Sequence, residues 1–229
     1  MAKLYFRYGA MNSGKSTAML QAAYNYEERG QQVLLTKPAI DSKGEASIVS
    51  RLGVSRPVDF TIGAEDDLYR LFTDERARVL ERTDVDVACL LVDEAQFLSE
   101  SQVDDLLRIA IQQGVPVLAY GIRTDFQTVA FPGSRRLLEI AHSLEELKTI
   151  CRCGRKAMFN ARKIDGEFVF DGDQVAIDTS TELSTGSAEV SYESLCGACY
   201  LDESGGVLNR GWRPKIDFSY RSAPDADFM

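Results

Sequence analysis

The residues whose types and spacing could do chemistry begin near the N-terminus. Gly9-Ala10-Met11-Asn12-Ser13-Gly14-Lys15-Ser16 fits the pattern G-x-x-x-x-G-K-[ST]. In such a loop the backbone N–H groups and the start of the following helix present donors and a positive dipole end to a phosphate chain. Lys15 would add a point charge at the β- and γ-phosphates, and the Ser16 hydroxyl can ligate Mg²⁺. The two glycines let the backbone wrap closely. A second constellation, Asp93-Glu94-Ala95-Gln96, follows the apolar run Ala88-Cys89-Leu90-Leu91-Val92. Asp93 there could hold Mg²⁺ directly or through water, and Glu94 could take a proton from an attacking hydroxyl or water. Alone, a strand end finishing in solvated acids is common, and Met11 or Asn12 alone would be ordinary loop residues. The two motifs together in one chain argue for phosphoryl chemistry fed by ATP and Mg²⁺.

Four cysteines form two short-spaced pairs, Cys151-x-Cys153 and Cys196-x₂-Cys199. Paired thiolates of this kind suit a closed tetrahedral Zn²⁺ site, which leaves no open position and so serves folding rather than catalysis. A redox or disulfide role and unrelated buried cysteines are the alternatives that spacing leaves open. The fifth cysteine, Cys89, lies in an apolar run and reads as core, and the single histidine, His142, reads as a helix-end residue.

Strand, loop and helix must position these groups. Residues 3–8 read as a short buried strand, Thr17–Arg29 as a helix stopped by Gly30, and Val33–Thr36 as a second strand. Asp41–Ser50 has little periodicity and reads as a mobile loop. Helical patterns at Ala64–Leu80, Ser101–Gln112 and Ser134–Ala141 alternate with apolar runs at Val87–Val92 and Val115–Tyr120. The alternation implies an α/β fold of βαβ units around a mostly parallel sheet, in which the carboxyl ends of the strands line the ligand crevice. After Ile150 the composition changes to cysteine pairs, glycines and short strand-like pieces such as Glu167–Phe170. The expected organisation is a nucleotide-binding core over 1–150, a metal-pinned lobe over 151–200 and a tail over 201–229 that holds the only tryptophan, Trp212.

The chain has 229 residues, 45% hydrophobic and 27% charged, which is enough for one core with a cleft. A net charge of −9 argues against a protein whose main task is gripping nucleic-acid phosphates through a basic surface. No apolar run approaches membrane-spanning length or a secretory signal, so a soluble, cytoplasmic protein is expected.

The order of these motifs, a loop written G-x-M-x-S-G-K-S, Val-Asp-Glu-x-Gln-Phe at 92–97, Tyr120-Gly121-x-Arg123-Thr124-Asp125-Phe126 and then the cysteine quartet, resembles the type II thymidine kinases over about residues 3–200. That resemblance implies an ATP- and Mg²⁺-dependent kinase of deoxythymidine with a RecA-like P-loop core, a small zinc-ribbon lobe and a homotetrameric assembly. It places the catalytic base on Glu94. It also implies that Met11 borders the thymine methyl, that Phe126 and Phe131 wall the base, that Asn160 sits near the methyl, that Arg162 lies near the substrate, and that Tyr192 belongs to a lasso closing the base pocket. Two departures stand out: residues 178–191 are longer than the family's short glycine-containing link, and Lys43 stands where the family commonly has an arginine, which loses bidentate phosphate contact. Two rival readings share motifs with this one. A nucleic-acid-stimulated ATPase would use the same Asp-Glu-Ala-Gln letters, and a non-catalytic zinc-ribbon module would leave the phosphate loop idle.

Overall fold

The computed structural model describes residues 1–39, 47–172, 174 and 189–205. Lys43, positions 178–188 of the long link, and the tail beyond 205 with Trp212 lie outside the described residues. The chain divides into two compact units. The first comprises Met1–Tyr8, Gly14–Arg123 and Ala130–Leu147; the second comprises Gly9–Ser13, Thr124–Val129 and the described residues from 148 onward.

In the first unit the elements run β1 (Leu4–Tyr8), α1 (Lys15–Glu27), β2 (Gln32–Pro38), β3 (Ser47–Val49), β4 (Ser55–Pro57), β5 (Phe60–Ile62), α2 (Leu68–Thr83), β6 (Val87–Val92), α3 (Glu100–Gln112), β7 (Val117–Gly121), α4 (Pro132–Ile140) and β8 (Ser143–Glu146). Six strands form one sheet in the order β5-β2-β6-β7-β1-β8, and every pairing in it is parallel. The expected mostly parallel α/β fold is therefore what the chain adopts. Strand residues alternate between two apolar layers, as the period of two requires. Leu34, Leu90, Val92, Val117 and Ala119 meet Phe72, Val79, Val103, Leu106 and Leu137 from α2, α3 and α4 on one face. Leu35, Cys89, Leu91, Leu118 and Tyr120 meet Met19, Leu20 and Ala23 from α1 on the other. Cys89 is thus a core residue, fully buried. Local signals set the helix starts: the Asp67 side chain accepts from Arg70 N ahead of α2, and Ser99 with Gln102 forms a reciprocal capping box ahead of α3.

Two elements differ from the sequence reading. Part of the expected loop at 41–50 is strand: β3 pairs antiparallel with β4, and the turn closes through Ser50 N to Val54 O and Val54 N to the Ser50 hydroxyl, hydrogen bonds that leave no trace in hydropathy. The acidic Ser143–Glu146 is also strand, added beside β1. His142 accordingly lies beyond the α4 cap, where its backbone donates to Leu4 O and its Nδ1 accepts from Leu4 N.

The second unit contains β9 (Thr149–Ile150) paired with β10 (Lys156–Ala157), a three-stranded antiparallel sheet of β12 (Glu167–Val169), β11 (Phe159–Ile164) and β13 (Val190–Leu195), and α5 (Gly197–Glu203). Its small core gathers Cys151, Ala157, Ala161, Leu195, Cys196, Cys199 and Tyr200. The helix α5 was not anticipated, since Gly197 at its start and the short length of seven residues mask a helical pattern.

One glycine sets how closely α4 approaches the 3₁₀ turn Ala95–Phe97 that follows β6. A Cβ on Gly133 would lie 2.5 Å from Ala95 O, 2.7 Å from Leu98 O and 2.9 Å from Gln96 O, all backbone atoms that cannot swing aside. Gly133→Ala is expected to destabilise the chain by about 1–3 kcal/mol, as overpacking does. A urea unfolding midpoint equal to that of the parent would contradict this.

Candidate active site

In the first unit, β1 leads through the glycine-punctuated loop into α1. Gly14 occupies the N-cap with φ 77, a left-handed conformation that suits glycine, and nothing lies within 4 Å of where its Cβ would be. The requirement at this position is therefore conformational rather than spatial. Lys15 follows, buried at 9% exposure. Burial pushes its ammonium below the ordinary lysine value, the Glu94 and Asp93 carboxylates pull it back, and Arg51 lowers it again. The Ser16 hydroxyl donates to Asp93 Oδ2 at 3.3 Å.

Asp93 and Glu94 emerge at the carboxyl end of β6. Asp93 is 5% exposed, and its carboxyl is raised to about 7, first by burial and next by the Glu94 charge. Glu94 has φ 48, a left-handed conformation that non-glycine residues adopt at a cost of about 1–3 kcal/mol. Its side chain accepts a hydrogen bond from Gln96 Nε2, while Gln96 Oε1 accepts from Ile122 N at 3.2 Å. Gln96 thereby orients Glu94, and Ala95 is fully buried beneath the turn. Two neighbouring carboxylates and a buried ammonium at one strand end form a polar cluster suited to a cation and a phosphate. In the second unit, Ser13 Oγ is buried with no hydrogen-bond partner among the described residues, as suits a loop that takes an oxygen-rich ligand.

In the second unit, Asn12 also has positive φ, 68. The Met11 N–H donates to Asn160 Oδ1 at 2.7 Å, and Ser194 Oγ donates to Met11 O. Asn160 Nδ2 donates to Thr124 O at 2.9 Å, so the second unit brings Met11, Asn160 and the loop bearing Phe126 together. The Arg162 guanidinium lies 3.9 Å from the Phe126 ring centroid and donates to Asp171 O. Tyr192 pairs opposite Arg162 across β11 and β13. Phe131 is not gathered with these in the second unit: it belongs to the first, where its ring stands edge-on to Phe97 at 5.6 Å. Gly9 and Ala10 are buried in the loop.

The four thiols of Cys151, Cys153, Cys196 and Cys199 lie within 4.8 Å of one another. Gly154, with φ 85, closes the turn in which its N–H donates to Cys151 O at 2.8 Å, and Cys196 caps α5 by accepting from Cys199 N. Two tight turns aimed at one point make a donor set able to hold a metal ion in a closed thiolate site. Sequence reasoning missed Ser194 and Thr149, whose hydroxyls bind the backbone of Met11 and Asn12. Their only signal is position, each within two residues of a metal-site cysteine.

The parallel sheet, the glycine-turned loop running into α1 and the acidic end of β6 define an α/β protein of the phosphate-loop type carrying a thiol-pinned lobe. The chain belongs to the thymidine kinase family, whose model, described as "Thymidine kinase", matches residues 2–200. Among its relatives is a thymidine kinase of Legionella pneumophila (strain Paris), 50% identical over 180 residues covering 77% of this chain and 83% of the relative. A thymidine kinase of Ruegeria pomeroyi is 45% identical over 207 residues, covering 90% of this chain and 96% of the relative. One from Haemophilus influenzae is 44% identical over 209 residues, covering 90% and 100%. Among the described residues no helix is long and apolar enough to cross a membrane.

If the thiols hold a metal ion, the purified protein carries it through gel filtration, and Cys199→Ala loses both the metal and several degrees of thermal midpoint. Elemental analysis showing a metal-free parent protein with an undiminished midpoint would overturn the metal assignment.

Proposed function

We propose that this chain transfers the γ-phosphate of ATP to the 5′-hydroxyl of thymidine, giving dTMP and ADP. The observation that carries this reading is the cluster at the end of β6, where Ser16 bonds Asp93, buried Lys15 feels both carboxylates, and Glu94 is held by Gln96. Membership of the thymidine kinase family supports the choice of acceptor.

In this reading Gly9–Ser16 wrap the phosphates with backbone N–H groups, and Lys15 offsets charge on the β- and γ-phosphates. The Ser16 hydroxyl and the Asp93 carboxylate would hold Mg²⁺, which would neutralise part of the phosphate charge. Glu94 accepts the proton of the 5′-hydroxyl as that oxygen attacks the γ-phosphorus in line, and Gln96 keeps its carboxylate aimed. Ala95 and Gln96 complete the nucleotide side. On the nucleoside side, Met11, Phe126, Asn160, Arg162 and Tyr192 of the second unit would meet the base and sugar, and Phe131 of the first unit would add an aromatic wall. Enclosing the reaction among such groups keeps water from competing for the phosphoryl group.

The four cysteines would hold Zn²⁺, a d¹⁰ ion content with four thiolates and no open position, and its task is to fold the lobe. Residues 1–150 then act as the nucleotide core, 151–200 as the metal lobe and 201–229 as a tail, in a cytoplasmic homo-oligomer.

The direct test supplies γ-labelled ATP with Mg²⁺ and, separately, thymidine, deoxyuridine, deoxycytidine, deoxyguanosine and single-stranded DNA. Label appearing in dTMP when thymidine is present is the expected result; free phosphate released only with DNA would replace the kinase with a nucleic-acid-stimulated ATPase. Glu94→Gln is expected to lower kcat by roughly 10²–10⁴-fold while ATP binding stays close to the parent value. Near-normal turnover in that variant would remove Glu94 from the base role.

A further inference from the structure

The β11–β13 pair carries an unusual concentration of buried polar side chains on one face. Asn160 and Ser194 stand directly opposite each other across the two strands, and both are buried, at 3% and 6% exposure. Both reach one peptide unit's neighbourhood, the backbone of Met11: Asn160 Oδ1 accepts from Met11 N at 2.7 Å, and Ser194 Oγ donates to Met11 O. The remaining amide arm of Asn160 donates to Thr124 O at 2.9 Å, at the start of the Thr124–Val129 loop. That loop is fixed a second time by the Tyr200 hydroxyl, which donates to Phe126 O at 2.6 Å. Thr149 Oγ1 adds a third hold on the phosphate loop through Asn12 O at 3.3 Å.

A cross-strand Asn–Ser pair therefore ties together two loops that are far apart in sequence. One runs on through Gly14 to Lys15, and the other carries Phe126. Asn12, between Met11 and Gly14, adopts φ 68, a left-handed conformation that asparagine tolerates better than most residues. Moving either loop away would leave the buried Asn160 amide or the Ser194 hydroxyl unpaired, which is strongly disfavoured, so the loops have good reason to order as one.

We infer that Asn160 and Ser194 are positioning residues that lock Met11 and couple the phosphate loop to the Phe126 loop, so that filling either substrate site raises affinity for the other. The inference rests on the proposed kinase reading and deepens it. It assigns Ser194 a role in nucleotide affinity although the hydroxyl need touch no substrate, and it makes Asn160 a bridge between the two loops. Because binding couplings are reciprocal, thymidine must tighten the nucleotide by the factor by which the nucleotide tightens thymidine.

The experiment measures the dissociation constant of a non-hydrolysable ATP analogue with Mg²⁺, alone and with saturating thymidine, for the parent protein, Ser194→Ala, Ser194→Thr and Asn160→Ser. Amide exchange over 9–16 is followed in parallel, and the metal content of each variant is checked because Ser194 is two residues from Cys196. Ser194→Ala is expected to weaken analogue binding about tenfold, the worth of one buried hydrogen bond, and to bring the thymidine-induced gain toward one. Ser194→Thr, which keeps the hydroxyl on a strand, restores both, and Asn160→Ser, too short to reach Met11, speeds exchange at the Met11 amide. Should Ser194→Ala fail to fold, Asn160→Ser carries the same comparison. Metal-loaded variants that bind the analogue with the parent affinity, the parent gain and unchanged exchange would overturn the inference. A parent protein that binds the analogue but not thymidine would instead break the kinase reading, and exchange at Met11 would then decide the clamp alone.

Discussion

The interaction on which the rest of the structure depends is the burial of one ammonium beside two adjacent carboxylates. Charges removed from water are stable only when each has a partner: burial lowers the Lys15 ammonium and raises the Asp93 carboxyl, and the attraction between the two works against both shifts. A parallel sheet makes such a gathering possible, since every strand delivers its carboxyl end to the same edge. β6 contributes the acids and β1 the loop that opens α1, with β7 paired to both. The left-handed turn at Glu94 and the side-chain-free approach of Gly133 to the turn after it shape the same strand end.

The second unit solves a different problem. It has few apolar residues, and its core is largely the cysteine quartet with Tyr200, Leu195 and Ala161. A metal held by those thiols would supply folding free energy that so small a core lacks. In exchange the small sheet offers rigid polar side chains, and these secure the backbone of Met11 and Thr124.

Much of this was legible in the sequence because the relevant physics is local. The run Val87–Val92 could only be a buried strand, and its bounds agree with β6. The loop motif implied strand, loop and helix, and the two short-spaced cysteine pairs implied four thiolates around one point; the thiols do converge. What escaped notice depends on pairing that hydropathy does not report. β3 and β4 are three residues each and are held by a turn around Ser50, while Ser143–Glu146 is acidic and becomes strand only because β1 has an unpaired edge to offer. Ser194 is one hydroxyl in a strand, and nothing in its own neighbourhood says that its partner is 183 residues away. Phe126 and Phe131 look alike in sequence, yet Phe126 packs under Arg162 whereas Phe131 packs on Phe97, a difference set by tertiary context alone.

The account holds that Lys15 is buried in order to meet phosphate rather than to stabilise the acids beside it. Calorimetric titration of Lys15→Met with ATP and Mg²⁺ separates these roles, because methionine keeps much of the side-chain volume and removes the charge. Loss of ATP affinity by on the order of a hundredfold in a folded protein is the predicted result, the scale of a charged hydrogen bond lost from a buried site. ATP binding that survives at the parent affinity would contradict the account at its centre.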